Sequence, residues 1–124
     1  MEVKPVYFFD SYALVEGLKG SINYAKYNES ITVISILNLI EIVNVALRDF
    51  GESRARDAYN QFKDCIVEID EEIILGAMKL KQKYNQRNLS YADCIGYIIA
   101  KRKNILFLTG DSGFKDLENV EFVK

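Results

Sequence analysis

The sequence predicts an α/β fold, a three-layer α/β/α sandwich in which helices cover both faces of a central, mainly parallel sheet of four to five strands. Two observations predict it. Short strand-like segments alternate with segments of helical length along the whole chain, as they do in parallel sheets connected by helices. The strand-like segments are also mostly apolar, because a strand buried on both faces has no polar side.

The strand predictions depend on runs of aromatic and β-branched side chains. The clearest runs are residues 6–10, which follow Pro5, and residues 105–109, which are apolar up to the last residue. Residues 65–69 alternate in the manner of a strand with one solvated face. In chain order, the strand-like segments are 6–10, 31–35, 65–69, 105–109 and 120–123.

The helix predictions depend on length, apolar periodicity and end signals. Ser35 is a good N-cap for a helix over 36–50, and Gly51 is a typical residue after a helix C-terminus. The segment 52–64 is amphipathic. Its predicted inner side carries Ala55, Ala58, Tyr59 and Phe62. In chain order, the predicted helices span 11–19, 36–50, 52–64, 72–86 and 90–103.

Composition restricts the classes of protein and of chemistry. The 124 residues are 49% apolar and 27% charged, which predicts one globular domain over residues 1–124. Histidine is absent, which excludes a Ser-His-Asp triad, a Cys-His pair, a histidine-ligated zinc and a histidine general base. Cys65 and Cys94 lie in apolar stretches without motif spacing, so we expect reduced core thiols in a cytoplasmic protein.

Charge and hydropathy restrict the partners. A net charge of −2 is not the basic footprint usual for nucleic-acid binding. A phosphate substrate must therefore be held locally, by a metal or by the short basic clusters at 79–83 and 101–103. No run approaches the roughly 20 apolar residues of a membrane span, and the N-terminus lacks the pattern of a signal peptide, so we expect no membrane partner.

Two carboxylates, Asp10 and Asp111, each stand just after an apolar strand-like run. The carboxyl ends of parallel strands meet at one sheet edge, where open α/β sheets bind their ligands. The alternative is structural, because an Asp after a strand also caps the next helix or turn. Asp111 in particular lies in a Gly-Asp-Ser-Gly turn sequence.

Glu41 lies in the predicted helix over 36–50, which is apolar nearly all round. We expect such a helix to be central, and a buried ionised carboxylate needs a charged partner or a metal. The alternative is a narrow solvated stripe, with Asn44 contacting Arg48. We favour a metal ligand, with Asn38 one turn earlier as support.

Asp93 lies at the start of the predicted helix over 90–103. The four residues from Ser90 to Asp93 resemble a capping box, which explains this acid without any function. The helix that follows is apolar, and Gly96 inside it, which costs about 1 kcal/mol relative to Ala, indicates close packing against a neighbour. An Asp at the start of such a core helix would point toward the same sheet edge.

Together, the four acids predict a divalent-metal site. Two strand-end acids and two helix acids can converge on one spot, where their charges raise each other's pKa values and repel unless a cation lies between them. Asp10, Glu41, Asp93 and Asp111 are therefore the candidate metal ligands and catalytic residues.

The chain resembles the PIN domain, a nuclease fold that includes the VapC-type toxins of toxin-antitoxin pairs and several RNA-processing nucleases. The resemblance covers essentially the whole chain. Its carrying segments are Phe8-Phe9-Asp10-Ser11, Asn38-Leu39-Ile40-Glu41, Tyr91-Ala92-Asp93 with the apolar helix after it, and Leu108-Thr109-Gly110-Asp111-Ser112-Gly113-Phe114. The last two are the most specific.

The resemblance implies a cofactor, a substrate and partners. In the family, the matching four acids bind Mg²⁺ or Mn²⁺ and cut single-stranded RNA, and Ser11 and Thr109 match the polar residues beside the first and last acids. A cognate antitoxin that packs on the early helices, and a homodimer or higher oligomer, are also implied. The candidate surface residues for such contacts are Val15, Leu18, Tyr24 and Tyr27, although aromatic residues near a helix are more often core.

One departure from the family pattern concerns the second metal. Many relatives carry a further acid two positions after the last one, where this chain has Gly113, and we expect Asp116 to be too distant in the turn to replace it. A weaker second metal site follows from this departure. The sequence leaves open whether one or two ions bind.

The predicted function is a metal-dependent endoribonuclease that hydrolyses phosphodiester bonds of single-stranded RNA, as the toxin of a VapBC-type pair. The alternatives are a PIN-like RNA-processing nuclease without an antitoxin and a catalytically weakened PIN scaffold that acts as a binding module. A phosphatase of the haloacid dehalogenase type also begins with a strand-end Asp. It needs a second Asp two positions later, where this chain has Tyr12.

Overall fold

The computed structural model describes residues 3–124 and confirms the predicted α/β/α architecture. Four strands form a sheet in the order β2-β1-β3-β4, and every neighbouring pair is parallel. The strands are β1 (Val6–Phe9), β2 (Ile31–Val33), β3 (Leu106–Thr109) and β4 (Val120–Phe122). Because β1 and β3 are the two central strands, their carboxyl ends lie side by side at one edge of the sheet.

Within the described residues, five α-helices cover the two faces of this sheet. They are α1 (Ser11–Leu18), α2 (Ile36–Phe50), α3 (Glu52–Phe62), α4 (Glu71–Lys83) and α5 (Tyr91–Arg102). Side chains alternate between the faces, so Phe8 and Phe107 pack in the cluster formed with α4 and α5. Phe9 and Leu108 pack in the opposite cluster, with α1 and α2. This two-sided burial explains why both central strands are apolar except at Thr109, the last residue of β3.

The core under α5 is a layer of aromatic rings into which the helix backbone packs closely. The ring centroids of Phe8 and Phe107 are 5.7 Å apart, and those of Phe107 and Phe114 are 4.7 Å apart. A Cβ atom on Gly96 would lie 2.5 Å from Cε1 of Phe8 and 3.1 Å from Cε1 of Phe107. The close packing predicted for Gly96 is therefore confirmed, and it brings the start of α5 against the central strands.

The strand predicted over 65–69 is wrong. A 3₁₀ turn, Lys63–Cys65, leads to a single parallel bridge between Ile34 and Ile66. Only one residue after β2, Ile34, can pair with this segment, because Ser35 already begins the turn into α2. A 3₁₀ helix, Ile22–Glu29, was not predicted.

The buried faces of α2 and α3 differ from those predicted. Tyr59 was predicted on the inner side of α3, but it is 49% exposed, because the small residues Ala46, Ala55 and Ala58 bring α2 and α3 together and leave no room for a larger ring. The expectation that α2 is central is also wrong. It packs through one face, and its outer face exposes four large apolar side chains: Ile36, Ile40, Leu47 and Phe50.

Within residues 3–124, no helix is both long enough and apolar enough to cross a membrane.

Candidate active site

Asp10 is a buried carboxylate held between two chain segments. Its backbone N–H donates to the Leu108 carbonyl at 3.2 Å, and it is the N-cap of α1, accepting from the Ala13 N–H at 2.9 Å. Its second oxygen accepts the hydroxyl proton of Thr109. The helix cap weighed as the structural alternative is therefore present. Because Asp10 is only 2% exposed, its ionised form is costly, and these hydrogen bonds compensate only part of that cost.

Asp111 is joined to Asp10 through Thr109. The Asp111 N–H donates to Thr109 Oγ1 at 3.0 Å, while the same hydroxyl donates to the Asp10 carboxylate. The Asp111 side chain accepts from the Gly113 N–H at 2.9 Å, so the predicted turn is also present. Thr109 is fully buried, and its hydroxyl fixes the spacing between the two strand-end acids.

Asp93 is the third residue of a complete capping box at the start of α5. The Ser90 N–H donates to the Asp93 carboxylate, and the Asp93 N–H donates to the Ser90 hydroxyl, both at 3.0 Å. Because α5 packs on β1 and β3, this cap lies near the strand ends. Its charge acts on Asp10, and the charge of Asp111 acts on it.

Glu41 is exposed in the second turn of α2, so the burial predicted for it is wrong. It nevertheless faces the acidic edge. Desolvation raises its pKa, a hydrogen bond with Ser11 opposes that rise, and the charge of Asp93 adds to it. Asn38 donates to the Ser11 hydroxyl at 3.1 Å and accepts from the Ser35 N–H and hydroxyl. Asn38 is buried, and its bond positions the Ser11 hydroxyl. Its supporting role toward Glu41 stays a prediction.

Electrostatic coupling links the acids into one group. Burial is the main reason that the pKa of Asp10 is raised to about 7, with the Asp93 and Asp111 charges adding to the rise and the bonds from Thr109 and Ala13 opposing it. Burial also raises the pKa of Asp93, against the Ser90 hydrogen bonds, with Asp111 raising it further. Charges that raise one another's pKa values in this way favour a bound cation.

The donor set fits a hard divalent cation in its chemistry. Carboxylate and hydroxyl oxygens suit Mg²⁺ and Mn²⁺. Within the part of the chain that the structure describes, however, no group of three or more His, Cys, Asp or Glu side chains is arranged to hold one ion. Asp10, Asp93 and Asp111 each use a carboxylate oxygen for a backbone N–H. Three of the acids can therefore share one ion only after their side chains change arrangement.

Gly113 leaves little room for the additional acid that many relatives carry. A Cβ atom there would lie 2.9 Å from Leu89 Cδ2, 3.3 Å from Asp111 Oδ1 and 3.4 Å from the Arg87 carbonyl oxygen. Asp116 lines a separate depression with Lys83, Tyr84 and Glu118. The described structure therefore offers neither position as a ready fifth carboxylate.

Two basic residues near the acids were not predicted individually. Arg87 donates from Nη1 to the carbonyls of Gly113 at 3.2 Å and Lys115 at 3.0 Å, which braces the loop that carries Asp111. The charge of Lys81 opposes the rise in the pKa of Asp93 that burial causes. The basic cluster at 79–83 was the one signal for Lys81, whereas nothing in the local sequence around Arg87 indicates contacts with a loop 26 residues away.

The raised pKa of Asp10 predicts a pH dependence of stability in metal-free buffer. Its pKa is near 4 in the unfolded chain and about 7 in the fold. Folding thus favours the protonated acid, so the stabilisation is complete below about pH 4 and is lost as the pH rises through about 7. Thermal unfolding followed by circular dichroism in EDTA should show a lower Tm at about pH 8 than at about pH 5. The corresponding loss in the free energy of unfolding is on the order of a few kcal/mol.

Asp10→Asn is the matched variant for this measurement, since asparagine keeps an oxygen for the Ala13 cap and cannot titrate. We expect its Tm to change much less over the same interval. If parent and variant lose stability in parallel, Asp10 is not the titrating group.

Comparisons with known proteins give matches at the levels of family and fold. The family profile described as PIN domain matches residues 7–120. No curated protein sequence gives a match. Solved structures that match along nearly their whole length include the following three.

A toxin-antitoxin complex from Klebsiella pneumoniae aligns with a TM-score of 0.76 and 23% identity, over 93% of this chain and 95% of that chain. VapC20 from Mycobacterium tuberculosis, a toxin that cleaves the sarcin-ricin loop, aligns with a TM-score of 0.74 and 18% identity, over 95% and 99%. VapBC2 from Rickettsia felis, bound to a DNA fragment from its promoter, aligns with a TM-score of 0.73 and 17% identity, over 96% and 99%. At these identities, the likeness is one of fold.

Proposed function

Because this chain belongs to the PIN domain family, we propose that it is a divalent-metal-dependent endoribonuclease that cuts single-stranded RNA. The observation that carries the proposal is the electrostatically coupled set of Asp10, Glu41, Asp93 and Asp111 at one edge of the sheet. Mg²⁺ or Mn²⁺ is the proposed cofactor, and these four acids would hold it.

The chain's own residues would position the substrate and the acids. When bound, the ion supplies Lewis-acid polarisation of a phosphoryl oxygen and a nucleophile at neutral pH. Thr109 fixes Asp10 relative to Asp111, and Asn38 fixes Ser11 beside Glu41. The N-termini of α1 and α5 also lie at this edge, and the positive ends of their dipoles favour a phosphate there.

We further propose that the chain is the toxin of a VapBC-type pair, located in the cytoplasm and neutralised by a cognate antitoxin. The solved complexes with similar folds include toxin-antitoxin assemblies, which supports an antitoxin partner. Among the candidate contact residues, Tyr24 and Tyr27 are core residues, at 2% and 4% exposure. The exposed apolar side chains of α2 are better candidates. Self-association into a dimer or higher oligomer stays a prediction.

A catalytically weakened scaffold that acts as a binding module is the second candidate. It is favoured by the absence, in residues 3–124, of three acids already arranged for one ion and by the crowding at Gly113. A PIN-like RNA-processing nuclease without an antitoxin would have the same catalytic residues. A small neighbouring gene for a DNA-binding antitoxin would distinguish the toxin from that nuclease.

Cleavage of a mixed pool of single-stranded RNA tests the proposed reaction. We expect products with Mn²⁺ or Mg²⁺, none after chelation with EDTA, and renewed cleavage when the ion is restored in excess. Failure to cleave with either ion, in protein shown to be folded by circular dichroism, would favour the binding module. Cleavage that persists in EDTA would contradict the metal dependence.

A further inference from the structure

Tyr91 is a large aromatic side chain exposed beside the acidic group. It is the first residue of α5, directly after the N-cap Ser90, and it is 64% exposed. The hydrophobic core does not require this ring, because the helix is anchored through its following residues, which are buried. An exposed ring at the start of the helix that carries Asp93 is available to contact a substrate and is not needed to stabilise the fold.

Lys81 supports the Tyr91 ring from the neighbouring helix. Its ammonium lies 5.0 Å from the ring centroid, within the range of a cation–π contact. The same ammonium donates to the Leu89 carbonyl, which ties it to the segment just before α5. It also acts electrostatically on Asp93. Lys81 therefore places a positive charge that contacts the exposed ring and acts on Asp93.

A cleft of about 610 Å³ opens next to this pair, between the C-terminal half of α4 and the start of α5. It is lined by Met78, Lys81, Gln82, Asn85 and Tyr91. The lining combines an aromatic face and a thioether, which suit the flat surface of a base, with two amides that can donate to and accept from a base edge. The cleft is large enough for a nucleotide, and its one charged group is a cation.

We propose that Tyr91 and the cleft beside it form a nucleobase subsite for single-stranded RNA, in which a base stacks on Tyr91 while Lys81 neutralises an adjoining phosphate. The subsite rests on the proposed function, since it would bind the nucleotide that flanks the phosphate held at the four acids. Proteins commonly bind single-stranded nucleic acids by stacking bases on exposed aromatic rings next to positive charges. It also provides the local positive charge that a chain of net charge −2 needs in order to bind RNA.

The chain contains no tryptophan, so Tyr91→Trp places the variant's single indole at the proposed stacking position, where its emission can be excited apart from that of the tyrosines. The probe is a short single-stranded oligoribonucleotide of mixed sequence, mixed with the protein in a stopped-flow instrument with Mn²⁺ present, and the emission is read before products accumulate. We expect the oligoribonucleotide to quench the emission and an abasic oligomer of equal length to leave it nearly unchanged. Tyr59→Trp, at a 49% exposed position on α3, is the matched control and should respond to neither.

Cleavage kinetics provide a second measurement. Tyr91→Ala should raise KM for single-stranded RNA roughly 5- to 100-fold, the range expected from the loss of one stacked base, while kcat changes little. Tyr91→Phe should keep a KM near that of the parent, because phenylalanine retains the stacking face. Tyr59→Ala should behave as the parent.

The outcomes separate this proposal from the proposed function. If the parent cleaves RNA but neither oligomer quenches Tyr91→Trp and the KM of Tyr91→Ala is unchanged, the subsite proposal is wrong. The proposed nuclease function is then unaffected. If only the base-containing oligomer quenches Tyr91→Trp and the parent cleaves no RNA, the subsite is supported and the proposed nuclease function is wrong.

Discussion

Asp93→Asn is expected to reduce metal-dependent RNA cleavage by on the order of a hundredfold or more while leaving the fold intact. Asp93 has two separable roles. As part of the capping box it accepts from the Ser90 N–H at 3.0 Å, and asparagine retains an oxygen that can do the same. As a candidate metal ligand it contributes a charge, which asparagine lacks. The substitution therefore removes the proposed chemistry with little effect on the helix.

Asp57→Asn is the matched control for this variant, because Asp57 is an exposed acid on α3, away from the sheet edge. Rates on the same RNA pool with Mn²⁺ should be parental for the control and strongly reduced for Asp93→Asn, with similar Tm values for both. An Asp93→Asn preparation, free of contaminating nuclease, that cleaves as fast as the parent would remove Asp93 from the mechanism.

Phe107→Ala is expected to destabilise the fold by about 3–5 kcal/mol, the usual range for truncating a buried phenylalanine. Phe107 is fully buried in the middle of β3, and its ring packs against Phe8, Tyr97 and Phe114. No neighbouring side chain is free to fill the space, because each of these rings is also fully or nearly fully buried. A loss of this size is a large part of the total stability of a typical domain.

Leu106→Ala on the same strand is the matched control, since Leu106 is 39% exposed. Its loss of stability in chemical denaturation should be well below that of Phe107→Ala. Equal losses for the two variants would mean that β3 is not buried on the side of α4 and α5 in the way described.

The fold was largely predictable because its strongest signals are local. The apolar runs of β1 and β3, the N-cap Ser35 and the stop at Gly51 each specify an element from its own residues, and the observed α2 has the predicted bounds. The strand expected at 65–69 depended instead on a partner edge. That edge is only one residue long at Ile34, which no local pattern reveals.

The burial and the contacts of each acid were less predictable than its position at the sheet edge. Asp10 and Asp111 follow β1 and β3, so the parallel topology brings them together once the sheet is known. The burial of Glu41 was inferred from a helix that is apolar nearly all round. In fact α2 leaves Ile40 58% exposed, since a protein surface also contains apolar atoms. Glu41 is coupled to Asp93 by tertiary packing that the sequence of its own helix does not encode.

The supporting contacts were the hardest to foresee. The Arg87 bonds to the loop after Asp111 join residues far apart in sequence. The contact of Lys81 with Tyr91 depends on the packing of α4 against α5. Such contacts depend on three-dimensional geometry, whereas residue type alone indicated only a basic cluster.

The central claim is that acids distant in sequence act together around one divalent cation, and Mn²⁺ binding measured by isothermal titration calorimetry tests it most directly. The variants are the four single amide substitutions Asp10→Asn, Glu41→Gln, Asp93→Asn and Asp111→Asn, with Asp57→Asn as control. We predict that the parent and the control bind Mn²⁺ with the same affinity and that each of the four variants binds it at least roughly tenfold more weakly. A folded parent that binds no Mn²⁺, or four variants that bind it as tightly as the parent, would contradict the claim.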